Sequence, residues 1–551
     1  MLNQSTALNQ STALNQSTAL TRATMLTRRG YAISKEGLSP EKEREILKEL
    51  NVSPVTPGRR FAPVNTFRIY AESLTKYYLP RVWATEKFGP AKESSISEGD
   101  SLRSDLVFTG NPYEYQTEIV NTFLQSGSNG LICVPCGRGK TFMAILIAIK
   151  LQRKFMIVVD KEFLLDQWMG ELQSLIPGIR IGIIQEDKKQ IGVVERKVPT
   201  LDELKAQLKK AGLPVSGTKQ VLLERLRTVV PEDPPVTYDC CIAMIQTLVT
   251  REFSPDEFNS FGFTIFDECH HLGAAHFSRA LLKVQTKCML GLSATPTRDD
   301  GLTRVFEWFI GKPVYWEKIR EADPDVIVQR VEFSSEDPEY ETVPVDSRGE
   351  PVLARLLTNI VAYEKRNCVI DGIMKKLLEE PLRKILVLSE RIEHLRRIHS
   401  KLPENTTVGY YIGGMDSETR QAGALSASVL LGTYAMASEA MNIKALNTLI
   451  MVSPRKKIEQ STGRILRTQK SVREIPPLII DIVDSHGVYQ GQWFKRRAYY
   501  KKCAYKIVNV EGAYTVPLKD VTLTKDVTLT KDVTGKKQKS EEIPVRYMFE
   551  D

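Results

Sequence analysis

Three groups of residues in this 551-residue chain have the types and spacing for phosphoryl transfer. The first is Val134-Pro135-Cys136-Gly137-Arg138-Gly139-Lys140-Thr141. Its glycines let the backbone curl until successive N–H groups face one anion, and a helix opening at Lys140 adds partial positive charge. In that setting the Lys140 ammonium reaches the β/γ-phosphates of a nucleotide, and the Thr141 hydroxyl ligates magnesium. The run departs at one letter from Gly-x-x-x-x-Gly-Lys-Ser/Thr, with Val134 in place of Gly. The second group is Asp267-Glu268, one carboxylate to hold the metal and one to polarise the attacking water. The third is Gln460-Ser461-Thr462-Gly463-Arg464-Ile465-Leu466-Arg467. Arginines three apart share a helix face, and a γ-phosphate needs positive charge in its transition state. Taken alone, Arg464 and Arg467 read as an ordinary basic face.

This chemistry needs rigid elements ahead of each loop. Leu131-Ile132-Cys133-Val134 has the length of a buried strand, and Phe142 to Ile149 continues as a helix, so strand, glycine loop and helix are predicted in that order. Thr264-Ile265-Phe266 is a strand ending at Asp267, and Met289 to Leu292 is one ending at Ser293-Ala294-Thr295. Strands are also predicted at Phe155–Val159, Arg180–Ile184 and Ile242–Leu248, with a helix over Phe163–Leu175. Alternating helices and apolar strands imply a parallel sheet covered on both faces. The loops at the strands' carboxyl ends then gather on one edge, bringing Asp267 beside the phosphate loop. The pattern restarts near Ile319, with strands at Ile385–Leu388, Thr448–Val452 and Leu478–Val483 and a helix over Ile392–Leu402. Two α/β domains are expected, over residues 105–318 and 319–510.

Residues 198–230 interrupt the first of these. Thr200–Lys210 reads as a short helix with Leu201, Leu204 and Leu208 on one face, and Thr218–Val230 as a second carrying Val221, Leu222, Leu226 and Val229. Basic residues outnumber acidic ones in this pair. Residues 21–104 form a lead-in domain, in which Ser39-Pro40 opens a helix as cap and first residue. Residues 1–20 are three copies of a polar hexapeptide, and Lys519–Thr534 repeats another; neither can bury a core, so 1–20 and 511–551 are expected to be disordered. Trp493 to Lys506 interleaves aromatic and basic residues; its helical spacing favours a closing amphipathic helix over a stacking platform.

Composition excludes several classes. Apolar residues make up 42% of the chain and charged ones 26%, as in globular proteins, and no apolar run is long enough to span a bilayer. The polar first twenty residues are no signal peptide. The eight cysteines have no zinc-finger spacing, so reduced thiols without a structural metal are expected. The net charge of +9 permits a nucleic-acid partner without requiring one.

Together these motifs resemble a superfamily-2 helicase of the DECH-box kind, in family order over roughly residues 105–510. Val134–Thr141 is similar to motif I, and its Pro-Cys-Gly to the XPB branch, where the first glycine is dispensable. Tyr115-Gln116 resembles the adenine-side Gln motif, Asp166-Gln167-Trp168 lies in a stretch like motif Ia, and Asp267–His270 and Ser293–Thr295 resemble motifs II and III. Thr433–Ile443 resembles motif V, but with Ala440 and Asn442 where relatives often have Gly and Asp; Gln460–Arg467 resembles motif VI. The resemblance implies two tandem RecA-like domains, with ATP and Mg2+ in the cleft. It implies that Gln116 reads adenine, that Lys140, Thr141, Asp267 and Glu268 bind and hydrolyse ATP, and that His270, Ser293 and Thr295 couple hydrolysis to closure. Gln460, Arg464 and Arg467 complete the site. Arg298-Asp299-Asp300 resembles the Arg-Glu-Asp element of XPB-type helicases and equally a capping turn. The inserted pair resembles a SAP module, implying DNA phosphate contacts by Lys205, Lys219 and Arg225.

The lead-in looks like that of helicases from large nucleocytoplasmic DNA viruses, similar to the poxvirus transcript-release type. A monomeric DNA helicase or translocase is expected, working with RNA polymerase or the replication machinery. Its expected place is intracellular, and for a viral protein the host cytoplasm or virus factory, the nucleus or the virion. An RNA helicase and a nucleotide-dependent scaffold that separates no strands are the alternatives.

Overall fold

Leu131, Ile132, Cys133 and Val134 have no solvent exposure, and their side chains alternate between two cores on opposite faces of one sheet. That burial is what the apolar run predicts, since a strand covered on both faces has no polar side. The computed structural model describes residues 24–55, 66–194, 200–227, 236–254, 256–318, 322–439, 441, 443–468 and 470–510. Both hexapeptide repeats, Val229, Ala440 and Asn442 lie outside the described residues.

The first sheet has eight strands. From one edge they run Lys188–Lys189, Ile181–Gln185, Cys240–Met244, Phe155–Val159, Phe263–Phe266, Cys288–Ser293, Asn129–Cys133 and Pro313–Trp316. Every pairing is parallel except that of the two-residue edge strand. The strand ending at Asp267 is not next to the strand ending in the phosphate loop; Cys288–Ser293 lies between them. Neighbouring strands are about 4.8 Å apart, so the Lys140 side chain has to reach across one strand to meet the carboxylates.

Helices Glu114–Gln125, Lys140–Leu151 and Glu162–Leu175 cover one face. The other is covered by Ile245–Thr250, Thr303–Ile310 and the lead-in. The chain turns helical at Ile245, earlier than the strand predicted to Leu248. Tyr31, Ile33, Leu50, Val52, Leu79 and Trp83 of the lead-in share one core with Leu131, Met156 and Cys241 of the sheet. Arg81 clamps the two together, buried, donating to the carbonyls of Phe309 (3.1 Å) and Thr286 (2.9 Å) and to the Asn129 side chain. Ser39 caps the helix Pro40–Leu50, accepting from Lys42 N, as its sequence predicts.

The second sheet is parallel throughout, in the order Val408–Tyr411, Val429–Thr433, Ile385–Ser389, Thr448–Met451, Leu478–Asp484, Ile327–Phe333 and Lys506–Val510. The fold is mixed α/β with two parallel-sheet domains. Trp493 to Lys506 resolves into a helix, Gly487–Lys502, followed by the edge strand. Trp493, Arg496 and Tyr500 are buried against the sheet, which removes Trp493 and Tyr500 as stacking surfaces.

The insertion is a helix pair, Leu201–Lys210 and Lys219–Arg227. Its core is its own: Leu204, Leu208 and Leu222, all fully buried. Leu201 and Val221 are exposed instead, at 39% and 43%, because two short helices facing only each other bury one stripe apiece.

Candidate functional site

Gly139 has φ +78°, and the helix Lys140–Leu151 starts directly after it. The left-handed backbone there favours glycine, and a Cβ, 2.4 Å from Gln116 Nε2, would make that amide shift. Gln116 is buried, and its amide accepts from Tyr113 N (3.0 Å) and donates to Arg138 O (3.3 Å). The side chain expected to read adenine therefore ties its own helix start to the phosphate loop. Arg138 lies over the Tyr115 ring at 3.9 Å, and Tyr115 stacks on Tyr113 with 13° between the ring planes.

Lys140 Nζ lies 2.7 Å from Glu268 Oε1. Burial opposes the ammonium, but the Glu268 charge outweighs it, aided by Cys136 and Asp267, so the Lys140 pKa is raised. Burial likewise opposes the Glu268 carboxylate, yet Lys140 and then His270 hold its pKa well below the usual range. Burial, followed by the neighbouring Glu268 charge, raises Asp267. One carboxylate is thus paired directly with lysine while its neighbour forms no ion pair among the described residues, which fits a metal at Asp267. Asp267 Oδ2 accepts from the Trp168 indole at 2.8 Å, and Oδ1 from Glu268 N at 3.0 Å. Glu268 has φ +41°, a left-handed conformation that costs a non-glycine residue on the order of 1 kcal/mol.

A polar chain leads on from Glu268. His270 Nδ1 lies 3.3 Å from Glu268 Oε2 and 3.0 Å from Ser293 Oγ, and Ser293 Oγ accepts from Thr295 N at 3.1 Å. Motifs far apart in sequence meet here because their strands end on one edge. Thr141 is half-buried in the first helical turn. With Asp267 it offers hard oxygen donors, which suit magnesium, an ion that keeps several waters and takes phosphate oxygens as well. The residues fit the ion.

The second domain faces this site across a cleft of about 370 Å³ lined by His270, Thr295, Arg298, Lys457, Gln460 and Ser461. The helix Glu459–Gly463 tightens to a 3₁₀ turn at Arg464–Leu466, so Arg464 and Arg467 stay aligned. Arg464 is buried and donates to Met441 O at 2.6 Å. Burial, and then the like charge of Arg464, pushes Arg467 down to about 10, while Cys136 of the phosphate loop and Glu171 act in the opposite sense. Both of those residues belong to the first domain, so Arg467 feels the nucleotide loop from across the cleft. Arg298 pairs with Asp300 and donates to His270 O at 2.7 Å; Asp300 Oδ1 accepts from Leu302 N, as in a capping turn.

The insertion's basic residues divide. Lys205 and Lys219 are exposed, whereas Arg225 donates to the carbonyls of Pro214 and Ser216, stapling the turn between the two helices. Sequence reasoning did not give Trp168 its part at Asp267. The available signal was a tryptophan on a helix whose strand neighbours the Asp267 strand.

Comparison with known proteins fits an ATP hydrolase of the helicase type. Residues 109–298 match the family described as type III restriction enzyme, res subunit. Three of the similar proteins are viral. A protein of Acanthamoeba polyphaga mimivirus, provisionally named an ATP-dependent RNA helicase, is 28% identical over 87% of this chain and 85% of its own length. An African swine fever virus protein with the same provisional name is 24% identical over 74% of this chain and 75% of its own. One helicase of Escherichia phage T5, also provisionally named, is 23% identical over 70% and 74%. Among solved structures, yeast Dbp5 bound to RNA and ADP BeF3 covers 73% of this chain and 90% of its own at 11% identity, with a TM-score of 0.46. Among the described residues, no helix is long and apolar enough to cross a membrane.

Proposed function

We propose that this chain is a motor of the XPB-like DECH-box kind, coupling ATP hydrolysis to movement on DNA or to its unwinding. The observation that carries the reading is the Lys140–Glu268 pair at 2.7 Å, with Asp267 beside it and Arg467 within electrostatic reach of the same loop. As it stands, the pair is self-neutralised. An incoming triphosphate takes the lysine, and Glu268 is released as a base that can orient and deprotonate water. While Lys140 is paired with it the Glu268 pKa is held down and the carboxylate stays ionised; once the triphosphate draws the lysine away, that pKa rises toward the ordinary range and the carboxylate becomes the stronger base. Thr141 and Asp267 hold magnesium, which when bound neutralises phosphate charge. Gln460, Arg464 and Arg467 add positive and polar groups from the second domain when the cleft closes. The chain from Glu268 through His270 to Ser293 and Thr295 carries the state of the carboxylate toward the cleft wall.

DNA is favoured as the polymer by the SAP-like insertion, with Lys205 and Lys219 exposed for phosphate contacts. RNA is the second reading, favoured by the names of the mimivirus and swine fever virus relatives. The reading extends to a viral transcription or replication step in the infected cell, served by a monomer alongside a polymerase. ATP turnover measured with single-stranded DNA, duplex DNA and RNA tests it. Stimulation by DNA over RNA is expected, with turnover abolished in Lys140→Ala. Equal turnover in that variant would falsify the site, and stimulation by RNA alone would replace the polymer.

A further inference from the structure

A nucleotide whose γ-phosphate lies at Lys140 and Glu268 has its base at the margin of the phosphate loop. Gln116, Tyr115 and Tyr113 form that margin beside Arg138. A carboxamide reads adenine by accepting from the N6 amino group while donating to N7. Both of the atoms this needs are already engaged. Gln116 Oε1 accepts from Tyr113 N at 3.0 Å, and Nε2 donates to Arg138 O at 3.3 Å. Each atom has capacity for one more bond, but Gln116 is only 4% exposed, and its Nε2 stands where a Cβ at Gly139 would fall. To meet an adenine edge the side chain has to give up the helix start, the loop, or both.

Two other polar side chains beside the loop are committed in the same way. Tyr115 Oη donates to Arg138 O at 3.4 Å, and Glu317 pairs with Arg138 Nε at 3.0 Å. A stack accompanies them. Tyr113 lies on Tyr115 with ring centroids 5.7 Å apart, and Arg138 lies over the Tyr115 ring. Tyr113 remains 53% exposed, so a flat base laid on it lengthens the stack. Stacking on an aromatic ring tolerates any base, because every base has a π-face.

We propose that this site holds a nucleotide by its triphosphate and by the face of its base, without reading the base edge, so that guanosine, cytidine and uridine triphosphates are substrates beside ATP. This rests on the reading of residues 134–141 as the nucleotide loop. Lys140, Thr141, Asp267 and Glu268 serve phosphate, metal and water, which are the same for every nucleoside triphosphate. Gln116 is then a positioning residue. It ties Arg138 to the start of its own helix, and so fixes the loop for whichever nucleotide is bound.

The test is phosphate release by the full chain with magnesium and ATP, GTP, CTP or UTP in separate arms, DNA and RNA both present, read as kcat and KM. The GTP kcat/KM is expected within about fivefold of the ATP value, whereas edge reading by a bidentate amide separates the two by about 5–150-fold. CTP and UTP are expected to turn over at higher KM, because their smaller rings stack less. Tyr113→Ala is expected to raise KM for all four about tenfold with kcat little changed, and Tyr113→Phe, which keeps the ring, to restore it. Gln116→Ala is expected to slow all four in equal proportion and leave their ratios as they were. An ATP preference over GTP above about fivefold overturns the inference: lost in Gln116→Ala, it returns the reading of the base to Gln116, and kept, it assigns that reading to another group. If Tyr113→Ala leaves every KM in place, the base does not lie on that ring and the face contact is wrong. Release confined to ATP, or to the purines, overturns this inference and leaves the nucleotide loop standing. No release from any triphosphate overturns both together.

Discussion

Trp168 is the residue through which the Asp267 carboxylate is aimed. Its indole donates to Oδ2 at 2.8 Å from a ring that is 1% exposed, so the ring cannot turn away without opening a core. Removing the donor leaves a buried acceptor unpaired, at a cost of about 1–3 kcal/mol. Trp168→Phe keeps most of the volume and deletes the bond. Turnover is expected to fall about tenfold with a raised magnesium requirement, because the carboxylate is left free to rotate. Turnover titrated against magnesium checks this; an unchanged magnesium dependence would leave Trp168 with a packing role only. Nothing in the spacing of residues 168 and 267 suggests the contact. Lys140 with Asp267-Glu268, by contrast, was legible because each follows a strand whose length and apolarity fix where it ends. Arg225 carries a contact its charge does not announce: its Nη1 donates to the carbonyls of Pro214 and Ser216.

At the scale of elements, the central strands were legible and the edges were not. Phe155–Val159 and Cys240–Met244 are apolar along their whole length because both faces are covered. Lys188–Lys189 and the two-residue strands of the lead-in carry no period long enough to read. The insertion lies between these cases, since its helices were legible but its inward stripe was narrower than the leucine count. Its three-leucine core makes it a separate unit of stability. Leu208→Ala removes a fully buried side chain, worth about 2–5 kcal/mol, from a unit with little else to hold it. Trypsin is expected to cut within residues 200–227 of that variant under conditions where the wild type resists, while the main melting transition stays in place. DNA affinity should drop in the same variant. A protease-sensitive insertion with undiminished affinity would exclude it as a DNA contact.

At the scale of the molecule, the proposed function needs the two sheets as a pair, because on that reading neither holds a complete site. The glycine loop supplies Lys140 and Thr141, and the motif beginning at Gln460 supplies Arg467. Their meeting is registered in the Arg467 guanidinium, which feels Cys136 and Glu171 of the other domain. A lone sequence shows both halves but not their approach, since no local pattern encodes a contact between residues 136 and 467. The helix Glu162–Leu175 adds a second bridge, with Arg420 of the second domain 5.8 Å from the Phe163 ring. If closure on a γ-phosphate passes through Arg467, a triphosphate must stabilise the molecule more than a diphosphate does. A ligand at a hundred times its Kd contributes about 2.7 kcal/mol, so any differential is readable as a shift in melting temperature. With magnesium and a non-hydrolysable ATP analogue, the wild type is expected to melt higher than with ADP. Arg467→Ala should keep the ADP shift, which depends on the first domain, and lose the increment due to the third phosphate. Its turnover should slow by about 10²–10³, as for loss of one transition-state cation. A variant that keeps both the increment and its turnover would mean that the second domain does not complete the site through this arginine.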